Sequence, residues 1–310
     1  GSTFPRDTVL APCRRVQRHV PITAVVLVIA SAFLHATWNL LAKDSRGGPL
    51  FFWQALVASV FVFLVPFLVL LSQNPIPANG WVWIAATGVL HTAYFSTLAI
   101  AYVRADLSLA YPIARGLGPT LVLIVSIGFL AESLTPLGIV GVVAVVMGIY
   151  TITVRRMTLA AWRAPLTTLI RPEGRYAAAT GIFIAAYTLV DKQGVQLVHP
   201  LVYIYLMFVL SAVGATAILL THQRNWKATR ELHTWRKATA VAVLWITAYS
   251  LVLFALRLAP AAYVSAAREL SIVIGTGLGV FVLREQGGPT RLIGATSIAI
   301  GVALIAISSY

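Results

Sequence analysis

Arg115 and Arg268 each lie about eight residues into a long apolar run, or roughly 12 Å along a helix at 1.5 Å per residue. An arginine at the centre of a membrane helix costs about 2.5–3.5 kcal/mol on insertion scales, so neither side chain is expected to face lipid. An interior cation can attract a substrate carboxylate through charge-assisted hydrogen bonds or gate a path. It can also neutralise an internal acid, and Glu269, beside Arg268, is available to either arginine. Burial disfavours a charged carboxyl, so Glu269 and Asp191 permit proton coupling without requiring it.

Polar-aromatic stripes accompany these charges. His91 and Tyr94 share a helix face at i, i+3; His35 and Asn39 share one at i, i+4, with Trp38 beside them. Tyr111 precedes Arg115 by one turn. Tyr187 and Asp191 form another i, i+4 pair, as do Trp245 and Tyr249, and Tyr263 stands alone. Such stripes either line a wet cavity, where rings supply contact area and hydroxyls orient a ligand, or belong to helix packing and interfacial belts. With Arg115, Arg268 and Glu269 these residues form the candidate substrate site. No catalytic residue, metal or cofactor is expected, because no metal-ligand cluster, Ser/His/Asp set or phosphate loop stands out. The single cysteine, Cys13, offers neither a disulfide within the chain nor a thiolate metal site.

The elements that must position these groups are membrane helices. Hydrophobic residues make up 59% of the 310 and charged residues 10%, too few charges to cover a soluble surface. Ten apolar runs recur, near 22–42, 50–72, 81–103, 107–130, 135–153, 176–197, 200–221, 238–258, 260–283 and 289–308. They lack the alternation of barrel strands. Pro and Gly punctuate the gaps, as in Gly47-Gly48-Pro49 and Gly287-Gly288-Pro289. The expected organisation is a polar tail over 1–20, with Gly1-Ser2 read as a remnant of cloning, then a first five-helix repeat over 21–153. A basic linker over 154–175 and a second repeat over 176–310 follow. No cleavable signal peptide is evident. The net charge of +14 lies mostly in the connections, which argues for lipid headgroups as partners and against nucleic acid.

The two halves correspond. Residues 114–148 match 267–301 without a gap, pairing Arg115 with Arg268, Glu132 with Glu285, Pro136 with Pro289, Gly141 with Gly294 and Gly148 with Gly301. Thr92-Ala93-Tyr94 matches Thr247-Ala248-Tyr249, and Lys43 matches Lys192. Polar matches at fixed spacing are harder to obtain by chance than apolar ones. An odd number of helices per repeat gives opposite orientations, the plan of many transporters with a midplane substrate site. The fold class expected is therefore an all-α integral membrane protein with ten transmembrane helices, two inverted five-helix repeats around a central cavity.

The blocks Leu130-Ala131-Glu132…Gly141…Gly148 and Ala255-Leu256-Arg257…Arg284-Glu285…Gly294…Gly301 resemble the two repeats of EamA-type proteins of the drug/metabolite transporter superfamily. Ala131 and Arg284 stand where that pattern usually has glycine before the acid. The resemblance spans about 22–308 and implies a multi-pass transporter of small molecules in the bacterial inner membrane, not an enzyme. By length and by its aromatic and polar residues the chain is most similar to YddG-like amino-acid exporters. That implies export of neutral amino acids, aromatic ones included, by alternating access. Another cargo, or a receptor or scaffold without transport, is the competing expectation.

Lys and Arg outside the spans fall mostly in the odd-numbered connections, including Arg155, Arg156, Arg171, Arg224, Lys227 and Arg236. The positive-inside rule then places both termini outside, whereas the resemblance implies both inside. A reporter fused after Tyr310 separates the two: the charge count expects it to be inactive in the cytoplasm, and cytoplasmic activity overturns that count.

Overall fold

The computed structural model describes residues 20–44, 48–104, 107–130, 132–154, 174–222, 232–281 and 288–308, with a few positions between 158 and 167. The tail before Val20, most of the linker, and Glu285 lie outside the described residues, as do the side chains of Lys43 and Tyr111.

Among the described residues the chain is helical and has no strand. In hydrocarbon a chain must pair its own backbone groups, and these apolar runs do so as helices. They are α1 (Ile22–Asp44), α2 (Pro49–Val62), α3 (Leu64–Gln73), α4 (Gly80–Arg104), α5 (Leu107–Gly128), α6 (Pro136–Thr153) and α7 (Gly174–Leu197). The second half continues with α8 (Pro200–His222), α9 (Leu232–Leu258), α10 (Ala261–Ala267), α11 (Leu270–Phe281) and α12 (Pro289–Ile307). Proline opens α2, α6 and α12, where its missing N–H leaves nothing unpaired. Thr135 caps α6, its hydroxyl accepting the Gly138 N–H at 3.1 Å.

Among the described residues four helices are long and apolar enough to cross a membrane alone, within α1, α8, α9 and α12. The remaining spans are more polar, shorter or broken. The second expected span is not one straight helix: α2 and α3 meet at Phe63 with a bend of 52°. Pro66 accounts for it, since it has no N–H to offer the Val62 carbonyl and its ring crowds that oxygen. The ninth is likewise two helices, α10 and α11, interrupted at Arg268-Glu269. There the N–H groups of Glu269, Ser271 and Ile272 bond carbonyls three residues back, at 3.0, 3.1 and 2.8 Å, tightening the turn. With each broken pair taken as one span, the described helices make ten spans.

The packing has a two-fold pattern. Equating α1 with α7, α2/α3 with α8, α4 with α9, α5 with α10/α11 and α6 with α12 maps each principal contact onto another. The α1–α9 contact becomes α7–α4, α4–α8 becomes α9–α2, and α5–α7 becomes the contact of α1 with α10/α11. The α6–α12 pair maps onto itself and fixes the relation. A Cβ on Gly141 would meet the Gly301 carbonyl oxygen at 2.7 Å, and one on Gly148 would meet that of Gly294 at 2.7 Å. The reciprocal approaches, Gly301 to Gly141 and Gly294 to Gly148, are 2.5 and 2.6 Å. Gly141 corresponds to Gly294 and Gly148 to Gly301, so the equivalent helices run antiparallel and each repeat is inverted relative to the other. At the centre Ser297 donates to the carbonyl of its own counterpart, Ala144, at 2.8 Å. Outward-facing Val26, Phe61, Val65, Val89 and Leu292 are exposed, as lipid-facing positions should be.

A side chain at Gly148 must displace backbone. Gly148→Val is expected to cost about 1–3 kcal/mol by overpacking, while Leu292→Ala on the exposed face of α12 stays within about 0.5 kcal/mol. Thermal unfolding of both variants in detergent checks this, and equal melting temperatures would remove the α6–α12 contact from its central place.

Candidate substrate site

The polar residues meet in the interior between α1, α4, α7, α9 and α10. Asp191 on α7 is fully buried and accepts hydrogen bonds from three hydroxyls on three other helices. Thr87 on α4 donates to Oδ1 at 2.6 Å, Tyr203 on α8 to Oδ1 at 2.9 Å, and Tyr249 on α9 to Oδ2 at 2.5 Å. Thr87 Oγ1 also lies 3.0 Å from His91 Nδ1. Hydroxyl donors stabilise an ionised carboxylate without supplying a full opposite charge.

Next to this hub is an aromatic cage. His91 stacks on Tyr187 with centroids 4.1 Å apart, and Tyr249 closes edge-on at 5.6 Å from His91. Tyr94 meets Tyr187 edge-on at 5.5 Å. The Arg268 guanidinium lies over the Tyr249 ring, 5.1 Å from its centroid, and is close enough to interact with Tyr187. A second group surrounds Trp245, which stacks on Trp38 at 5.3 Å and meets Phe95 at 5.2 Å and Phe208 at 5.3 Å. His35 joins it through Trp38, at 4.9 Å, and lies in the field of both Arg115 and Arg268.

The two arginines have different surroundings. Arg115 Nε donates to Glu269 Oε2 at 2.9 Å, and its Nη2 to Ser271 Oγ at 3.1 Å. Its repeat counterpart Arg268 has no carboxylate within ion-pair distance among the described residues. The interruption of the ninth span arranges this. Arg268 ends α10, where carbonyls favour a cation, and Glu269 precedes α11, where N–H groups favour an anion.

The start of α10 is also held by charges. Lys192 Nζ donates to the Leu256 and Ala259 carbonyls at 2.7 and 2.8 Å, at the end of α9. Glu132 Oε1 accepts the Ala261 N–H at 2.9 Å. Lys192 therefore caps the end of α9 rather than that of its own helix, and Glu132 caps α10 rather than the next helix in sequence. The Thr135 N–H donates to the Tyr263 hydroxyl at 2.7 Å.

Of the residues singled out from sequence, the structure brings together His91, Tyr94, Tyr187, Asp191, Tyr249 and Arg268. Trp38, His35 and Trp245 adjoin them, and Arg115 with Glu269 forms the neighbouring ion pair. Asn39 uses its amide nitrogen on the His35 carbonyl one turn back, at 2.7 Å. Tyr263 is not in the cluster: it turns to Thr135 and lines an apolar groove between α1, α10 and α12. Tyr111 falls outside the described side chains. Thr87, Tyr203, Phe95 and Phe208 were missed. Only Thr87 carried a signal, one turn before His91 on the same face.

This geometry sits on a duplicated helical framework, and the family comparison finds the same duplication. The EamA-like transporter family matches twice, over residues 22–154 and 175–307. The chain belongs to the EamA-like transporter family. It is thus a multi-pass membrane transporter. Among 29 matching chains of solved structures, one crystal structure superposes with a TM-score of 0.69 at 18% identity. It covers 93% of this EamA-like chain and 98% of its own, a likeness of fold alone. No curated protein matches.

The Arg115–Glu269 pair yields a prediction. Removing Arg115 alone strands a buried carboxylate, and breaking such a pair typically costs about 3–5 kcal/mol. Arg115→Met is therefore expected to destabilise the protein more than Arg115→Met with Glu269→Gln. A double-mutant cycle in detergent unfolding measures the difference, and additive effects would show that the pair is not coupled.

Proposed function

We propose that this EamA-like transporter exports amino acids, neutral ones with aromatic side chains included, across the bacterial inner membrane by alternating access. The observation that carries the reading is Arg268. It is partly buried beside the cage, and Glu269, the nearest acid in sequence, is engaged by Arg115. Its contact with the Tyr249 face offsets part of the cost of burying a cation. A substrate carboxylate supplies the missing partner through charge-assisted hydrogen bonds.

The rest of the cage suits the other parts of an amino acid. Ring faces of Tyr94 and Tyr187 attract an ammonium, and Asn39 is an acceptor on the α1 wall. The group around Trp245 provides flat apolar area for a side chain. Asp191 is a poorer ammonium ligand than its charge suggests, because three hydroxyls already occupy its oxygens. A phosphorylated cargo calls for more positive charge than Arg268 supplies, since Arg115 is already neutralised.

Vesicles containing the purified protein and loaded with labelled L-phenylalanine test the cargo. Wild type is expected to release the label. Arg268→Ala is expected to slow release about tenfold or more, the equivalent of a charged hydrogen bond of about 1.5–3 kcal/mol. Movement of another metabolite but of no amino acid leaves the transporter and removes this cargo.

A further inference from the structure

Equivalent seams of the two repeats are packed differently. α5 closes on α7 through glycine. A Cβ on Gly181 would meet Leu117 Cβ at 2.8 Å and the Ala114 carbonyl oxygen at 3.0 Å, and one on Gly118 would meet the Ile184 side chain at 2.7 Å. The offsets that pair Lys43 with Lys192 and Arg115 with Arg268 carry Gly181 to Ala32 and Gly118 to Ser271, in the seam of α1 with α10 and α11. With a side chain at both positions the same close approach is not open to this seam. A cleft lies there instead, bounded by α1, α10 and α12.

The cleft encloses about 350 Å³, its open mouth included. Its walls include Ala24 and Val28 of α1, Tyr263, Val264 and Ala267 of α10, and Ile305 of α12, all of them buried. Every lining residue but Tyr263 is aliphatic. The Tyr263 hydroxyl is engaged by the N–H and the hydroxyl of Thr135, at 2.7 and 3.2 Å. The walls therefore offer a polar ligand nothing to bind. Ile22 and Val26 of α1 and Ile307 of α12, neighbours in sequence of the lining residues, are 65, 58 and 59% exposed. The apolar outer surface thus continues into the cleft, which extends inward to Ala267, the residue before Arg268.

We propose that this cleft binds an acyl chain of an anionic phospholipid, and that the chain holds α10, and with it Arg268, in place. Membrane hydrocarbon is the medium at the mouth, and an alkyl chain gains about 0.8 kcal/mol per methylene when it leaves water for such a wall. A helix of a second copy is too wide: one is about 10–12 Å across, so a single turn already exceeds the space. The chain ahead of Val20 is too polar to fill it, with Arg14, Arg15 and Arg18 in its last six residues. Basic sequence next to a membrane helix instead attracts anionic headgroups, which selects the class of lipid. Three lining residues belong to α10, so the chain supplies packing to the one face of that short helix that protein leaves uncovered.

The site rests on membership of a membrane family and on no particular cargo, and its test moves none. Ile29→benzoylphenylalanine places a photo-cross-linker on the cleft wall, and Val65→benzoylphenylalanine places one on the exposed face of α3 as a control. Both proteins are stripped of lipid in a steroidal detergent, which has no alkyl tail, and then given phosphatidylglycerol or phosphatidylcholine. Irradiation and intact-protein mass spectrometry read the adduct. A phosphatidylglycerol adduct is expected at position 29 at lipid levels that label position 65 about tenfold less. Ala306→Phe, which fills the cleft from α12, is expected to abolish it; if that variant does not fold, Ala24→Val makes the same test. Equal labelling at 29 and 65, an adduct between two copies or with the chain ahead of Val20, or equal yields with both lipids overturns the proposal. Hydrogen exchange reads the effect on α10. Stripping is expected to speed exchange of the α10 amides by at least about tenfold, the equivalent of two buried methylenes, and to leave α6 unchanged. Exchange in α10 that does not respond to lipid overturns its role in placing Arg268.

Discussion

A backbone group facing hydrocarbon must be paired within the protein, and the ninth span shows the consequence. It begins with a seven-residue helix, α10, separated from α9 before it and from α11 after it, and each break would expose backbone groups to an apolar interior. At one break Lys192 takes two carbonyls and Glu132 takes an N–H; at the other Arg115 holds Glu269. Isolated helices of seven residues are not stable, so α10 exists because other elements hold it. Glu132 and Arg115 belong to the first repeat and α10 to the second. The requirement to satisfy the breaks is therefore also what ties the halves together.

The two-fold pattern makes its exceptions informative. Arg115 and Arg268 occupy equivalent positions, but the residues after them do not match in chemistry: Gly116 corresponds to Glu269, and Gly118 to Ser271. Both polar substitutes turn to Arg115. The charged half-site is thereby closed and Arg268 is left facing Tyr249. On the offset set by Lys43 and Lys192, Asp191 corresponds to Ala42. A duplicated scaffold thus carries a single cation-aromatic cage and a single carboxylate hub. The symmetry belongs to the helix packing and the asymmetry to the chemistry.

Much of the scaffold was legible in the sequence. Run length gave the spans, because hydrocarbon thickness fixes how many residues a helix needs. The gapless pairing of Gly141 with Gly294 and Gly148 with Gly301 gave the repeat, and it is these glycines that touch across the axis. The breaks at Phe63 and Arg268-Glu269 were not legible, since a proline or a charged pair inside an apolar run is compatible with a continuous helix until its partners are known. Partner choice was equally hidden. Glu269 lies beside Arg268 in sequence yet pairs with Arg115, which is 154 residues away. Tyr203 sits in the very apolar α8, where a tyrosine gives no sign that its hydroxyl reaches an aspartate. Tyr263 shows the converse: it was read as part of the site, but its hydroxyl serves the α5–α6 loop.

The placement of α10 explains why the cage is built where it is. Its seven residues are all buried, so the helix cannot slide without losing packing along its length. Glu132, from the α5–α6 loop, holds its first N–H, Lys192 of α7 holds the end of α9 that leads into it, and its last residue leads directly into Arg268. The guanidinium therefore projects from the end of a short element anchored at the opposite end. Tyr249, which receives it, is itself fixed by Asp191 through a 2.5 Å hydrogen bond. Displacing Arg268 requires either a new anionic partner or release of α10 from its anchors. On the proposed reading a substrate would supply the first and a change in helix packing the second, so that both would act on the same seven residues.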